Sequence, residues 1–400
     1  MILRSTLETV LQDAFLGTAP DPEIRRELAA GITLRPSHAT VLTGVRRCGK
    51  STLLTQLMRR AKRAFYCNFE DTRLYGMGPE DFPAFLAVLD DVAGAKDAIF
   101  LDEVQEVDEW QRLLRALLDR GRTVCVTGSN ASLLGRELGS KLTGRHLSFE
   151  VFPFSYDEYL EFTGDDPGAA SMRAFLNDGG FPSFLSGRED IVLQSLLRDV
   201  IQRDVAARHG LRETRHAMNL ALFLLANTGQ PLSLQSLTRS LAVPTVGQTS
   251  RYVEHLKDAY LIVSVPKFST SFKQRVVAPA KYYAIDNGLR RANSPHGQPD
   301  LGHRLENAVA VHLRRLTPDV FYAGERGLWE CDFVTPDAAV QVCLELTSAN
   351  HARELRGVVE ATRLRGRRHA VIVTLDQTDR LVEDGVKVEV VPAWRWMRRR

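Results

Sequence analysis

The sequence predicts an α/β protein whose N-terminal part is a parallel β-sheet with helices on both faces. Up to about Glu161, β-like runs such as ATVLTGV, AFYCNF, DAIFLDEV and TVCVTGS alternate with helical runs such as STLLTQLMRRAKR and EWQRLLRALLDRG. This alternation is typical of a parallel sheet. From Ser171 to Phe272 the apolar spacing is mostly helical, and from about Lys281 strand-like runs return, including KYYAID, DVFYAG, CDFV, AVQVCLEL and HAVIVTL.

These three stretches predict three domains, at residues 1–165, 166–280 and 281–400. The segment SYDEYLEFTGDDPGAAS, which ends in Gly and Pro signals, marks the first boundary. A length of 400 residues with 44% hydrophobic and 25% charged residues suits an ordinary globular protein and excludes disordered and collagen-like classes.

The sequence indicates a cytoplasmic protein with no membrane partner. No apolar run reaches the length of about 18 residues that a membrane span needs, and the N-terminus lacks the apolar core of a secretory signal. The five cysteines are odd in number and form no CxxC pair, which argues against a disulfide framework and a tetrahedral zinc site.

The strongest motif is GVRRCGKS, which matches the phosphate-binding pattern GxxxxGK[ST] between an apolar strand and a helix. The glycines let backbone N–H groups turn towards phosphates at a positive helix N-terminus. Lys50 adds a charge at the β- and γ-phosphates, and Ser51 offers a hydroxyl to Mg²⁺. The predicted ATP-binding residues are Gly44, Val45, Arg46, Arg47, Cys48, Gly49, Lys50, Ser51 and Thr52.

The run AIFLDEVQEV supplies the acids that such a site needs. Four apolar residues deliver Asp102 and Glu103 to the C-terminal end of a strand, where open α/β sheets bind ligands. We expect Asp102 to hold Mg²⁺ through its water shell and Glu103 to polarise the attacking water. Alone, the run would fit a strand followed by a polar turn; beside the phosphate loop, the catalytic interpretation is favoured.

Two further positions are candidates for catalysis. The strand TVCVTGSN ends in Ser129 and Asn130, either of which would orient the attacking water or sense the γ-phosphate. Arg145 precedes the next strand-like run and is predicted to reach the γ-phosphate of a neighbouring subunit. A surface or capping cation is an equally good interpretation of Arg145 from the residues alone.

Positive charge is concentrated between residues 232 and 292, which carry a net charge of +6 although the whole chain carries +3. The segment has three acidic residues and nine basic ones: Arg239, Arg251, Lys257, Lys267, Lys273, Arg275, Lys281, Arg290 and Arg291. Such a bias is typical of a surface that binds a phosphate backbone, and equally of a solvated surface, so charge alone leaves both open.

The series GVRRCGKST, FLDEVQEV, VTGSNASLL and LTGRHLSFEVFPFSYDEYL resembles prokaryotic AAA+ ATPases that carry a C-terminal domain of formerly unknown function. The resemblance continues through NDGGFPSFL, LLRDVIQRDVAARHG, KYYAIDNGLR and HRLENAVAVHLRR, and so covers nearly the whole chain. It implies ATP binding by the loop, a Walker B pair at Asp102 and Glu103, a sensor at Ser129 or Asn130, and a finger-type arginine at Arg145. It also implies a homo-oligomer such as a hexameric ring.

The segment PLSLQSLTRSLAVPTVGQTSRYVEHLKDAYLIVSVPKFS predicts a winged helix-turn-helix, with its turn around Pro244 and Gly247. In that geometry the second helix enters a major groove and the strand pair meets phosphates. The predicted DNA contacts are Thr245, Gln248, Thr249 and Arg251 on the helix, and Lys267, Lys273 and Arg275 on the strand pair. The net charge favours nucleic acid over a protein-docking or packing module.

The last hundred residues resemble the restriction-endonuclease-like core of the same family. Glu306 and Asp332 lie where that fold places an acid and a metal-binding aspartate, but its acid-x-Lys pair reads QVC here, at 341–343. Mg²⁺ loses a ligand and the attacking water loses its positive neighbour. We therefore predict a nuclease-like domain without cleavage, with Glu345 as a candidate migrated ligand because strand alternation puts it on the face of Cys343.

The sequence thus predicts an ATPase that uses ATP and Mg²⁺ and couples nucleotide turnover to the binding or remodelling of DNA. The alternative is a nucleotide-switched regulator whose C-terminal half binds a protein partner. DNA-stimulated ATP hydrolysis would separate the two. An active nuclease with an ATPase motor is disfavoured by Gln341 and Cys343.

Overall fold

The computed structural model describes residues 2–16, 24–94, 97–130, 142, 144–211, 213–269, 271, 278–294, 301–364, 366 and 368–398, of which 12–16 are described by their backbone alone. The chain forms two compact units, Met1–Phe152 and Pro153–Arg400. Among the described helices, none combines the length and the apolarity that crossing a membrane requires.

The first unit is built on a five-stranded sheet in which neighbouring strands are parallel. Its strands are β1 (Ala39–Thr43), β2 (Ala64–Asn68), β3 (Ala98–Asp102), β4 (Val124–Gly128) and β5 (His146–Glu150), in the spatial order β2-β3-β4-β1-β5. Strands β1, β3 and β4 are buried throughout, as expected for apolar runs in a sheet covered on both faces. The C-terminal ends of β1, β3 and β4 therefore lie side by side.

The helices of the first unit are α1 (Arg4–Leu16), α2 (Lys50–Arg60), α3 (Phe82–Val92) and α4 (Trp110–Asp119), with 3₁₀ turns at Glu27–Gly31, Thr72–Leu74, Pro79–Asp81 and Val104–Glu106. Helix α4 shows how they pack. Its Leu113, Leu114 and Leu117 share one face and are buried in the same core as Phe65 and Leu101 of the sheet.

The second unit begins with helices. They are α5 (Tyr156–Thr163), α6 (Ala169–Asp178), α7 (Pro182–Gly187), α8 (Asp190–Asp199), which continues as a π-helix over Val200–Ala207, and α9 (Arg215–Ala226). A reciprocal capping box fixes the start of α5, because Ser155 Oγ accepts from Glu158 N and Glu158 Oε2 accepts from Ser155 N.

A small antiparallel sheet and two helices follow. The elements are β6 (Pro231–Leu232), α10 (Leu234–Ser240), α11 (Val246–Asp258), β7 (Ile262–Val265) and β8 (Ala280–Ala284), and the strands lie in the order β6-β8-β7. Helix α11 starts at its cap Thr245, whose hydroxyl accepts from Gln248 N. Gly247 therefore lies inside the helix, and the turn ends two residues earlier than its sequence suggested.

The rest of the second unit surrounds a six-stranded mixed sheet. Its strands are β9 (Phe321–Glu325), β10 (Trp329–Val334), β11 (Ala338–Val342), β12 (His369–Thr374), β13 (Asp379–Glu383) and β14 (Val386–Pro392), in the order β13-β14-β12-β11-β10-β9. The helices are α12 (Asn287–Asn293), α13 (Leu301–Leu316), α14 (His351–Arg363) and α15 (Ala393–Trp396). Strands β11, β12 and β14 run parallel, whereas the outer pairs are antiparallel.

The predicted fold class is confirmed: an α/β protein with a parallel N-terminal sheet of the P-loop type, followed by helices and further sheets. The division of the chain differs from the predicted one. The first unit ends at Phe152. The predicted boundary between residues 280 and 281 falls inside β8, which pairs with both β6 and β7. The middle and C-terminal segments thus belong to one unit.

Candidate functional site

The loop between β1 and α2 has a backbone that requires glycine at two positions. Gly49 caps α2 with a φ of +97°, and a Cβ there would collide with the guanidinium of Arg26. A Cβ on Gly44 would collide with the carbonyl of Val151. The loop is therefore folded tightly against its surroundings and leads directly into the N-terminus of α2.

Arg26 and Cys48 anchor this loop through hydrogen bonds to backbone carbonyls. The buried Arg26 donates to Cys48 O at 2.6 Å and to Phe152 O at 2.7 Å, and Cys48 Sγ donates to Val151 O at 3.2 Å. Burial raises the pKa of the Cys48 thiol, so this side chain stays neutral and adds no negative charge beside the loop. Sequence reasoning missed Arg26, which lies 22 residues before Cys48 and belongs to no motif.

The ammonium of Lys50 lies within the loop. Its Nζ donates to Gly44 O at 3.2 Å and Val45 O at 3.3 Å, and lies 3.8 Å from Glu103 Oε1. The side chain is 3% exposed. Two neutral carbonyls and one distant carboxylate are weak partners for a buried cation, so Lys50 is well placed to bind a stronger anion.

The acids predicted from AIFLDEV lie beside this lysine and are oriented by neighbouring strands. Asp102, at the end of β3, accepts from Tyr66 OH at 3.1 Å and from the hydroxyl of Thr127. The same hydroxyl accepts from Glu103 N at 2.9 Å. Glu103 has a φ of +52°, an uncommon conformation for a side chain of this size, and such strain is typical of functional sites. Sequence reasoning did not single out Thr127 or Tyr66.

Burial and the Asp102 charge raise the pKa of Tyr66 well above its ordinary value. The phenol therefore remains a donor to Asp102 at physiological pH. Asp102 thus has a donor at each carboxylate oxygen, which fixes the carboxylate at the sheet edge.

The predicted sensor residues follow β4 and are fully buried. Ser129 Oγ accepts from Gln105 Nε2 at 3.4 Å, and the same amide donates to Glu103 Oε2. Gln105 therefore connects the acidic pair with the end of β4. Asn130 is the last described residue before the gap at 131–141.

The remaining loop residues differ in exposure. Val45 is buried, Thr52 is half-buried, and Ser51 is exposed on the first turn of α2. Arg46 pairs with Glu70 at 3.3 Å, and the exposed Arg47 adopts a φ of +61°. Arg145, the predicted finger, forms an exposed ion pair with Asp119 at 2.7 Å within the first unit.

Of the predicted DNA-contacting residues, Thr245 and Arg251 are exposed and Gln248 and Lys267 are half-buried. The prediction for Thr249 is wrong: its side chain is fully buried, and its hydroxyl hydrogen-bonds to that of Thr238 at 2.8 Å. Thr249 shares a helix face with the buried Val253 and Leu256, so it packs rather than faces a groove. Lys273 and Arg275 lie outside the described residues.

The positive segment is less positive at its surface than its sequence suggests. Lys257 pairs with Glu254 at 2.9 Å, Arg291 pairs with Asp190 at 2.5 Å, and Lys281 is buried among carboxylates. These three cations have local counter-charges and contribute little to a long-range field.

The acids predicted for a nuclease-like core converge in the second unit. Glu306 of α13 and Asp332 of β10 both contact Lys281, which sequence reasoning counted as a surface charge. Gln341 Nε2 donates to Glu354 at 2.7 Å, and Gln341 Oε1 accepts from Asp332 N at 3.2 Å.

Glu345 departs from its predicted position. Strand β11 ends at Val342, so alternation does not extend to this residue, whose side chain is exposed. Glu345 still lines the cleft of about 1470 Å³ that also contains Glu306, Asp332 and Cys343.

Comparison with known proteins finds two family matches, one after the other along the chain. The model of an AAA domain matches residues 36–160, and the model of a domain of unknown function matches residues 170–300. An uncharacterized protein of Methanocaldococcus jannaschii is 30% identical over 399 residues, covering 91% of this chain and 89% of that protein. An uncharacterized protein of Haemophilus influenzae is 29% identical over 378 residues, covering 88% and 93%.

Solved structures with similar chains include the Aeropyrum pernix Orc1 protein in complex with DNA. It has a TM-score of 0.29 and 15% identity, and the match covers 72% of this chain and 90% of that one. The replication initiator DnaA bound to AMPPCP and single-stranded DNA has a TM-score of 0.29 and 12% identity, covering 56% and 83%. These scores are too low to support a functional assignment.

The sequence matches, in contrast to the structural ones, support a family assignment because they extend over both units. The AAA domain accounts for the phosphate-binding loop, Asp102 and Glu103, and the second match begins ten residues after the first one ends. The chain belongs to the family of AAA ATPase-type proteins that carry an N-terminal AAA domain and continue into a C-terminal domain of unknown function.

Proposed function

We propose that this protein binds ATP with Mg²⁺, hydrolyses it, and couples the turnover to the binding or remodelling of DNA. The observation that carries the proposal is the position of Lys50. Its buried ammonium lies in the loop opposite the oriented acids Asp102 and Glu103, with two backbone carbonyls as its hydrogen-bond acceptors. A triphosphate would supply the anion that this cation lacks.

The loop fits a chain of phosphates. Its glycines let the backbone fold against Arg26 and Val151, where a Cβ would not fit, and the loop leads into the N-terminus of α2, where the first N–H groups would bind phosphate. Lys50 would bind the β- and γ-phosphates. The bracing of Cys48 by Arg26 would keep the loop from rearranging when the ligand leaves.

Mg²⁺ would be held by the exposed hydroxyl of Ser51 and, through water, by Asp102. When bound, the ion would neutralise negative charge that develops in phosphoryl transfer. Glu103 would accept a proton from the attacking water, and Gln105 would orient Glu103 through the hydrogen bond between their side chains. Ser129 or Asn130 would contact the γ-phosphate or that water.

For the partner, the proposal relies on α11. Thr245, Gln248 and Arg251 lie on its N-terminal half, at the positions that a winged helix inserts into a major groove. Lys267, which follows β7, would contact phosphates, as would Lys273 and Arg275, which lie outside the described residues.

A second candidate is a nucleotide-switched regulator whose C-terminal half binds a protein. One observation favours it: among the described cations of the positive segment, Lys257, Lys281 and Arg291 are paired with acids. A weaker field reduces the electrostatic attraction to DNA.

The experiment is ATP hydrolysis measured on a panel of single-stranded, duplex and branched DNAs. We expect stimulation by at least one DNA, loss of ATP affinity in Lys50→Ala, and retained ATP binding with hydrolysis slowed about 10²- to 10⁴-fold in Glu103→Gln. Hydrolysis that no DNA changes would favour the regulator. Unchanged turnover in Glu103→Gln would remove the assigned base.

The family membership supports an oligomer whose subunits meet at the nucleotide, with Arg145 as the finger. Arg145→Ala should then lower turnover by about 10³-fold, while Asp119→Ala, which frees the same arginine from its ion pair, should not. Equal rates for Arg145→Ala and the parent would assign Arg145 a surface role.

We propose further that the C-terminal part of the second unit, built around the sheet β9–β14, is nuclease-like and without cleavage. The amide of Gln341 is engaged at both ends, and burial raises the pKa of the Cys343 thiol to about 12, so neither supplies the missing charge. Supercoiled plasmid incubated with Mg²⁺ or Mn²⁺ should stay intact. Nicking that Asp332→Asn abolishes would contradict this.

A further inference from the structure

A buried lysine lies at the centre of the carboxylate cluster in the second unit. Lys281, on β8, has a side chain that is 3% exposed. Its Nζ is 2.8 Å from Glu330 Oε1, 3.1 Å from Asp332 Oδ1 and 3.4 Å from Glu306 Oε1. An ammonium has three N–H donors, and here three carboxylates surround it.

Two of the carboxylates are also held by donors other than the lysine. Asp332 Oδ2 accepts from Val342 N at 3.0 Å, and Glu306 Oε1 accepts from Tyr283 OH at 2.7 Å. Asp332 and Glu306 are therefore fixed in place beside the ammonium, whereas the side chain of Glu330 is 51% exposed.

The pKa shifts in the cluster are those expected of a lysine that stays protonated. Burial by itself lowers the pKa of Lys281, but attraction to Asp332, Glu306 and Glu330 outweighs it, and the pKa is raised. Burial and Asp332 raise the pKa of Glu306, and Lys281 lowers it. The net result is a pKa of about 7 for Glu306, so Lys281 offsets part of the cost of burying this carboxyl.

The cluster forms part of the wall of the cleft of about 1470 Å³. Converging carboxylates are the usual ligands of hard divalent cations, so an unoccupied centre here would attract Mg²⁺ or Mn²⁺. The centre is occupied by Lys281. The amide oxygen of Gln341, which also lines the cleft, accepts from Asp332 N.

We propose that the ammonium of Lys281 occupies the position of a divalent cation in this cluster. The cleft then binds no divalent metal, and it becomes a metal site when the ammonium is removed. The proposal stands apart from ATP hydrolysis in the first unit. It assigns the cleft to binding that needs no metal, and it gives Lys281 the place that a metal ion would otherwise take.

The experiment titrates full-length, nucleotide-free protein with Mn²⁺, followed by the EPR signal of free Mn²⁺. All variants carry Asp102→Asn, which removes the metal residue of the other unit. The parent should bind no Mn²⁺ in the cluster. Lys281→Met, which keeps the side-chain length without the charge, should bind one Mn²⁺ with a Kd at least about tenfold below the highest Mn²⁺ concentration at which the parent shows no binding in the cluster. Lys281→Arg, which keeps the charge, should behave like the parent.

The gained site is assigned by adding Asp332→Asn to Lys281→Met, which should abolish it. The proposal is overturned when the parent binds one Mn²⁺ that Asp332→Asn removes, or when folded Lys281→Met binds Mn²⁺ no more tightly than the parent. Should Lys281→Met fail to fold, parent crystals soaked in Mn²⁺ decide. An anomalous peak among Glu306, Glu330 and Asp332 contradicts the proposal, and its absence beside an intact Lys281 contact supports it.

Discussion

Each unit contains a buried lysine beside carboxylates, but the two lysines are held differently. Lys50 donates to two backbone carbonyls, and its nearby carboxylate, Glu103, is 3.8 Å away. Lys281 has three carboxylates within 3.4 Å. A cation with weak partners is available to a ligand, whereas a cation with strong partners is part of the fold.

The acids show the same contrast. In the first unit a neutral hydroxyl, that of Thr127, orients Asp102 and the backbone of Glu103. In the second unit the ammonium of Lys281 contacts the carboxylates directly. The first arrangement orients its acids with neutral donors, whereas the second holds them with a cation.

The largest expected effect is on stability, and it separates the two lysines. Lys281→Met leaves three carboxylates without their cation and should lower the free energy of unfolding by about 3–5 kcal/mol. Lys50→Met removes weaker bonds and should cost about 1 kcal/mol. Urea unfolding in a Trp110→Phe background, whose remaining tryptophans lie in the second unit, measures the first value. Equal losses for both variants would contradict the comparison.

The pH dependence of that loss has a defined sign. Burial and Asp332 raise the pKa of Glu306 to about 7 although Lys281 lowers it, so without Lys281 the folded state binds more protons than the unfolded chain and gains stability as the pH falls. The deficit of Lys281→Met should therefore shrink between neutral and mildly acidic pH. A deficit that grows on acidification would indicate that packing, rather than charge, is lost.

Much of the nucleotide site could be predicted from the sequence because its parts are local. The motif fixes strand, loop and helix within a few residues, and four apolar residues before Asp102 place it at a sheet edge. Arg26 and Thr127 could not be predicted, since Arg26 precedes its partner Cys48 by 22 residues and Thr127 follows its partner Asp102 by 25. No spacing rule connects them with the loop.

Lys281 shows why the second unit was harder to interpret. In the run KYYAID it counts as one positive charge, and its partners Glu306 and Asp332 follow 25 and 51 residues later.

Two other features of the second unit follow local sequence patterns. Thr249 lies four and seven residues before the apolar Val253 and Leu256, a spacing that predicts burial. Asp384 and Gly385, both with positive φ, are the turn residues of the β13–β14 hairpin.

An intermediate effect is expected at Thr127, which orients the acids of the first unit. Thr127→Val removes a buried hydrogen bond to a carboxylate, worth about 1.5–3 kcal/mol, and should slow hydrolysis about 10- to 100-fold. ATP affinity should change little, because Lys50 and the loop are intact. Thr127→Ser keeps the hydroxyl and should retain most of the rate. A loss of ATP affinity equal to the loss of rate would assign Thr127 to ligand binding instead.

The smallest effect concerns salt, and it tests which cations of the positive segment reach a partner. The logarithm of DNA affinity falls linearly with the logarithm of salt concentration, by about one unit of slope per phosphate contact. Arg251 is exposed on α11, so Arg251→Gln should flatten the slope by about one unit, as should neutralising Lys273 or Arg275. Lys281 is sequestered by its own carboxylates, so Lys281→Met, measured where it is folded, should leave the slope unchanged. A flatter slope in Lys281→Met would place that ammonium within reach of DNA and remove the contrast between the two lysines.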